Sequence, residues 1–187
     1  RRFTQALLTF ALTTANTRAG TPSPKSSVRT APTLNVKDFG AFGNGRMSDL
    51  QQIRAAVAKA GEYSGGATVL FPAGDYFLGA ADDVYKLVWA NKLQNVRFVG
   101  ERAAISCRSV FGVSNMLVLD GCRNVAIEGL TFRDDGLKRE INWLGAAAIR
   151  LANDSGVGCE NIQISDCTFD SVLGALVCRE TDPAIRS

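Results

Sequence analysis

Asn35 to Leu78, NVKDFGAFGNGRMSDLQQIRAAVAKAGEYSGGATVLFPAGDYFL, is the stretch whose reading decides the fold. Val36 to Phe39 reads as a short apolar strand. Gly40, Gly43, Asn44 and Gly45 make a turn cluster, because Gly and Asn adopt positive φ at little cost. Ser48 stands as a helix N-cap with Gln51 three residues on, the spacing of a capping box. Leu50, Ile53, Val57 and Ala60 recur at helical spacing and form one apolar stripe. Gly61 is placed to end that helix as a C′ residue. Gly65-Gly66 then turns the chain into a strand over Thr68 to Phe71. Pro72 to Asp75 turns it again into a strand over Tyr76 to Leu78.

Downstream of Leu78 the sequence repeats. Asn95-Val96-Arg97-Phe98, Asn124-Val125-Ala126-Ile127 and Asn161-Ile162-Gln163-Ile164 align at spacings of 29 and 37 residues. Each block follows another strand-like run: Leu87 to Ala90, Met116 to Leu119 and Ala147 to Leu151. Each precedes a third: Ala103 to Ser106, Leu130 to Phe132 and Cys167 to Phe169. Three short strands per repeat of about thirty residues is the signature of a parallel β-helix coil. Coils stack at about 4.8 Å with alternate residues inward. Val96, Val125 and Ile162 are therefore expected in one internal stack, and Phe98, Ile127 and Ile164 in another. The recurring Asn95, Asn124 and Asn161 are expected as an amide ladder between coils rather than as ligands. A leucine-rich horseshoe needs shorter repeats and a stricter leucine pattern than these.

The opening stretch and the repeats together resemble the pectate-lyase superfamily of parallel β-helix proteins. That group includes rhamnogalacturonases, polygalacturonases, alginate epimerase-like enzymes and phage tailspikes. Its members commonly open with N-V-K-D-F-G-A-x-G-[DN]-G, a helix, G-G, and a strand bearing F-P-A-G-x-Y, and nearly every step is present here. Asn44 departs where Asp is common, and Ser48-Asp49 where an Asp pair often precedes Thr. The resemblance implies an all-β fold, a right-handed single-stranded parallel β-helix, whose open N-terminal end is capped by the α-helix at Ser48 to Ala60. It also implies a carbohydrate-active protein working on an acidic, pectin-like polysaccharide by hydrolysis or β-elimination. The alternative within the same fold is a non-catalytic glycan-binding β-helix, a surface adhesin or tailspike-like protein.

Composition is compatible with one globular domain: 187 residues, 46% hydrophobic and 21% charged. A net charge of +3 is too small and dispersed to argue for nucleic acid. The sequence contains no histidine, which excludes Ser-His-Asp and Cys-His nucleophiles and His-ligated zinc within it. Residues 1–19 read as a signal peptide: Arg1-Arg2, a modestly apolar run from Ala6 to Ala15, and small residues at Thr17-Arg18-Ala19. The expected location is secreted or periplasmic. That run is too short and Thr-rich to span a membrane. Residues 20–33 read as a linker, with prolines and serines clustered between Thr21 and Pro32, and 34–187 as the β-helix domain. One further coil begins at Ala175 to Cys178. With no closing helix after it, more coils are expected beyond Ser187.

The cysteines lack C-x-x-C spacing, so a zinc cluster is not indicated. Cys122 and Cys159 each lie two residues before a ladder asparagine and should stack, as reduced thiols or as a disulfide. The insertion from Arg133 to Trp143 is the candidate site, since binding residues concentrate on loops carried by a rigid scaffold. Asp134 and Asp135 are paired carboxylates of the kind that act as general acid and base on a glycosidic bond. Arg133, Lys138 and Arg139 suit a uronate carboxylate, and Trp143 suits a sugar ring. The plainer alternative is a solvated charged loop with Trp143 packed as a lid. No metal site is assigned, but the paired carboxylates can also hold Ca²⁺ through oxygen ligands, as expected if the reaction were a β-elimination. Asn153-Asp154-Ser155-Gly156 is a second, weaker loop candidate, read in preference as a plain turn. The polygalacturonase G-H-G element and the epimerase D-P-H-E element are absent from this sequence.

Overall fold

The computed structural model describes residues 31–80, 86–108, 115–136, 147–172 and 174–178. Lys138, Arg139, Trp143 and the leader at 1–19 lie outside the described residues. The elements in order are β1 (Thr33–Asn35), β2 (Asn44–Ser48), α1 (Leu50–Gly61), β3 (Ala67–Phe71) and β4 (Gly74–Ala80). Then follow β5 (Lys86–Asn91), β6 (Val96–Arg108), β7 (Asn115–Asp120), β8 (Arg123–Asp134) and β9 (Ile149–Ala152). The last are β10 (Glu160–Ser165), β11 (Thr168–Asp170) and β12 (Leu176–Cys178).

Every strand pairing among the described residues is parallel. β1, β3, β6, β8 and β10 stack in succession, β2, β4, β6, β8 and β11 do the same beside them, and β5, β7, β9 and β12 form a second sheet. The chain is a parallel β-solenoid in which each strand pairs with its counterpart in the next coil. The second and third runs of each repeat join into one long strand in β6 and β8. The bend between their halves falls at Gly100 and Gly129, which are neighbours across coils. A Cβ on Gly100 would lie 2.6 Å from the Gly129 carbonyl oxygen, so the backbones meet there because no side chain intervenes.

The expected internal stacks are present. Ala67, Val96, Val125 and Ile162 are in register, as are Val69, Phe98, Ile127 and Ile164. A third column joins Tyr76, Ile105, Phe132 and Phe169, in which the two phenylalanine rings stack with centroids 5.6 Å apart. Removing this apolar area from water is the main stabilising term, about 25 cal/mol per Å². The asparagine ladder is also present. The Asn124 amide donates to Asn95 Oδ1 at 3.0 Å, and the Asn161 amide donates to Asn124 Oδ1 at 2.9 Å. All three asparagines have φ between 50° and 58°, a left-handed conformation that Asn tolerates at the turn. Cys122 and Cys159 occupy neighbouring coils, and all five cysteines are free thiols.

The opening stretch folds differently from its local reading in four places, one of them β2, a strand over Asn44–Ser48 where that reading puts a turn at Asn44 and Gly45. Val36–Phe39 is a 3₁₀ turn rather than a strand, held by Asn35 accepting from the Lys37 amide; the strand lies just before it, in β1. The helix N-cap is Asp49, not Ser48, and it makes no side-chain capping bond. Its carboxylate instead accepts from the Phe42 amide at 2.6 Å and the Gly43 amide at 3.0 Å. The Ser48 hydroxyl reaches across to the Leu78 carbonyl. The helix also runs through Gly61, with Glu62 as its C-cap in helical conformation. Ile53, Ala56, Val57 and Ala60 are buried in the common core, and α1 packs on the 3₁₀ turn, β3 and β5. No helix among the described residues is long and apolar enough to cross a membrane.

Tyr76 is the pin of this region. Its hydroxyl donates to the Pro72 carbonyl at 2.9 Å, and its ring meets Phe71 edge-on. A Cβ on Gly43 would lie 3.1 Å from that ring, so the glycine turn closes over it. Burial, and then the Asp49 carboxylate, push the phenol from 10.0 to about 12. The folded state therefore holds this proton more tightly than the unfolded chain. The stability it contributes is complete below about pH 10 and is lost as pH rises toward about 12. Thermal unfolding midpoints should fall across that window, and Tyr76→Phe should flatten the fall. Identical alkaline limbs in the two proteins would remove Tyr76 as its cause.

Candidate functional site

The coil geometry decides which polar side chains share an outer face. In β4, β6, β8 and β11 the inward positions are Tyr76, Ile105, Phe132 and Phe169, so the residues on either side of each point outward. Register places Phe77 beside Ser106, Ser106 beside Arg133, and Arg133 beside Asp170. Asp75 lies on the same face, two positions before Phe77.

These outward groups are bonded to one another. The Ser106 hydroxyl donates to Asp75 Oδ1 at 2.5 Å. Arg133 Nη2 donates to Asp75 Oδ2 at 2.6 Å, and Arg133 Nε donates to Asp135 Oδ1 at 2.8 Å. One guanidinium is thus clamped between two carboxylates that lie 60 residues apart in the chain. The side chains of Arg133, Asp75 and Asp135 keep 32%, 30% and 40% of their exposure, so the cluster is open to a ligand. Bonds to Asp135 and the nearby Asp75 charge raise the Arg133 pKa further, against a smaller opposing effect of partial burial, so it is a permanent cation. Arg108 flanks the cluster, 5.4 Å from the Phe77 ring.

Asp134 and Asp135 do not share this face. They are successive positions at the end of β8 and point to opposite sides. Asp134 is buried; its Oδ1 accepts from the Gly136 amide, and it sits beside Cys107 in the neighbouring coil. Burial and then the Asp134 charge push the Cys107 thiol well above its ordinary range, so it stays protonated. Asp135 is outward and bonded to Arg133. The pair therefore does not fit a shared calcium ion, which requires several oxygens converging on one point. Among the described residues, no group of three or more His, Cys, Asp or Glu is arranged to hold a metal ion.

Asp75 and Ser106 were not recognisable as site residues. Asp75 falls inside a run that reads as a Pro-Gly turn, and Ser106 ends a strand-like run. The available signal was the coil register, which aligns Asp75-x-Phe77 with Ala104-x-Ser106 and Thr131-x-Arg133.

A family model described as rhamnogalacturonase A/epimerase, pectate lyase-like, matches residues 33–124. Residues 33–124 are thus similar to this pectate-lyase-like family, and the described residues have the parallel β-helix fold. Among curated proteins, Alginate lyase 7 of Azotobacter vinelandii is 45% identical over 49 residues, which is 26% of this chain and 6% of that protein. Mannuronan C5-epimerase AlgE4 of the same organism is 49% identical over 49 residues, 26% of this chain and 9% of that protein. The chain therefore aligns with less than a tenth of these relatives. Among solved structures, the A-module of the Azotobacter vinelandii mannuronan C-5 epimerase AlgE6 superposes with a TM-score of 0.59 at 22% identity. That match covers 78% of this β-helix and 40% of that chain. An iota-carrageenase complexed to carrageenan fragments superposes with a TM-score of 0.56 at 17% identity, covering 86% and 37%. At these identities the superpositions establish the shared fold of this β-helix.

Proposed function

We propose that this β-helix belongs to a carbohydrate-active protein, exported from the cell, that binds an acidic polysaccharide along the outward face of β4, β6, β8 and β11. The observation that carries the reading is Arg133 clamped between Asp75 and Asp135 on an exposed face of the solenoid. A guanidinium held in place before the ligand arrives loses little entropy when it engages a carboxylate. Sugar hydroxyls can donate to the flanking carboxylates and accept from the guanidinium. Matched relatives named as a lyase and an epimerase of alginate-type polymers support a uronate-containing glycan as substrate class.

The chemistry that suits such a glycan is transfer of the proton α to the uronate carboxylate to a base, with the β C–O bond breaking and the glycosyl oxygen leaving with a proton as an alcohol. Arg133 is a permanent cation and no base; Asp75 and Asp135 already balance its charge, so its part is to hydrogen-bond the uronate carboxylate through its remaining N–H groups and make the α proton more acidic. Lys138, Arg139 and Trp143, in the segment that follows, are proposed to extend the binding surface. Hydrolysis by two carboxylates and non-catalytic glycan binding are the competing readings.

The test is made on this chain with oligomannuronate and with oligogalacturonate. Binding is measured by calorimetry, with and without Ca²⁺, and product by the ultraviolet absorbance of unsaturated sugar ends. Arg133→Ala should weaken binding by tenfold or more, on the order of 1.5–3 kcal/mol for charged hydrogen bonds. Arg133→Lys should recover only part of it, because a lysine cannot bridge both carboxylates. Unsaturated ends support elimination, new reducing ends without that absorbance support hydrolysis, and binding with neither supports the non-catalytic reading. Unchanged affinity in Arg133→Ala with an intact fold would remove this face as the binding surface.

A further inference from the structure

The second sheet carries an exposed aromatic residue whose position is set by buried charge. Trp89 in β5 keeps 48% of its exposure. Its neighbours on the strand, Val88 and Ala90, are buried, so the ring stands on the outer face. A lone exposed hydrophobic residue is ordinary. This one is anchored: its Nε1–H donates at 3.3 Å to Oδ2 of Asp120, a carboxylate with no solvent exposure. The other oxygen of Asp120 accepts from the Ser155 amide at 3.0 Å, which ties in the turn after β9. Three successive coils thus cooperate to hold one indole edge.

The same turn brings a polar pair to the ring. Lys86 Nζ lies 4.4 Å from the Trp89 centroid and 2.8 Å from Asp154 Oδ2. Arg150 Nη2 lies 3.5 Å from Asp154 Oδ1. The hydrogen bond from Lys86 outweighs partial burial and holds the Asp154 carboxyl below its ordinary range. Lys86 and Asp154 are both partly open to water, at 23% and 34% of side-chain exposure. The four formal charges here, Lys86 and Arg150 against Asp120 and Asp154, cancel.

We infer that Trp89, Lys86 and Asp154 form a second glycan-binding subsite, one that takes a pyranose ring by its C–H face and its hydroxyls. Lys86 Nζ stands over one face of the indole, so the sugar would pack on the other face, with the polar edge of the ring already satisfied. The Lys86–Asp154 pair would meet hydroxyls that reach past the rim of the ring, Lys86 donating to one and Asp154 accepting from another. Balanced charge gives the surface no preference for an anionic sugar. It lies on the other sheet, so a chain held here makes contacts independent of that face. The inference rests on the carbohydrate reading above and adds a place where the glycan is held without reading its carboxylate.

The experiment compares two probes on the full chain by calorimetry: oligomannuronate, and the same oligomer with its carboxyls reduced to neutral hydroxymethyl groups. Trp89→Ala should lower affinity for both probes by about tenfold, and Trp89→Phe should keep it within about threefold. The neutral probe should bind with little dependence on salt. Unchanged affinity for both probes in Trp89→Ala overturns the inference, as does failure of the wild type to bind the neutral probe. Loss in Arg133→Ala without loss in Trp89→Ala leaves the proposed function standing and removes this subsite. Loss in Trp89→Ala alone supports the subsite and removes the Arg133 face. Retained binding by Trp89→Phe shows that a loss in Trp89→Ala is not misfolding.

Discussion

Asp49→Ala is expected to destabilise the fold by roughly 3–6 kcal/mol, from two lost bonds to a charged acceptor at about 1.5–3 kcal/mol each. Asp49 has no solvent exposure. Its carboxylate closes the glycine turn by accepting from the Phe42 and Gly43 amides. Its own amide donates to the Phe77 carbonyl at 2.7 Å, and its carbonyl accepts from Ile53 at 3.0 Å to begin α1. One residue therefore links the turn, the helix and β4. Truncation leaves two amides of the turn unpaired and releases the loop that covers Tyr76. Asp49→Asn should fall between wild type and alanine, because its amide keeps one acceptor and sets a donor against the second N–H. Urea denaturation gives the free energies, and limited proteolysis between Gly40 and Met47 reports the turn. A loss below about 1 kcal/mol in Asp49→Ala would mean that the carboxylate does not hold the turn.

Phe98→Ala is expected to cost about 3–5 kcal/mol, enough to leave a domain of this kind barely folded. Phe98 is 1% exposed and sits between Val69 and Ile127 in the central column of the solenoid. The cavity would lie between two coils whose backbones are fixed by ladder hydrogen bonds, so little collapse can fill it. Ile164→Ala, in the same column but only half-buried, should cost less than half as much. The pair tests the architecture as well as the residue. In a stack of coils each layer contacts its neighbours, so the loss should follow burial of the layer rather than the size of the side chain alone. Equal losses at the two positions by chemical denaturation would contradict that ordering.

The candidate site was legible only in part. Arg133 and Asp135 stand out in the sequence because they lie in a charged insertion. Their consecutive partner Asp134 does not belong with them, since period-two alternation sends it inward beside Cys107. Asp75 and Ser106 lie 58 and 27 residues before Arg133, and nothing in their own segments marks them. Only the stacking of coils brings them to one guanidinium. The Trp89 platform has the same origin: Asp120 follows it by 31 residues, and Asp154 follows Lys86 by 68.

What the sequence alone determined is whatever repeats in every coil. Alternation of inward apolar residues, the recurring asparagine and the strand runs beside it are local patterns, and a parallel coil turns each local pattern into a column. The internal stacks and the asparagine ladder therefore follow from alignment of the repeats. What the tertiary structure decided is the fate of groups with more than one available partner. Ser48 and Asp49 both suit an N-cap; Asp49 takes the position, but two amides of the glycine turn claim its carboxylate and it makes no side-chain capping bond. Asp75 and Asp135 each suit a solvated surface, and Arg133 drew them together because the coil register set all three on one face. Hydrogen-bonding groups are promiscuous at the level of sequence, and only the folded chain supplies the distance that selects one partner.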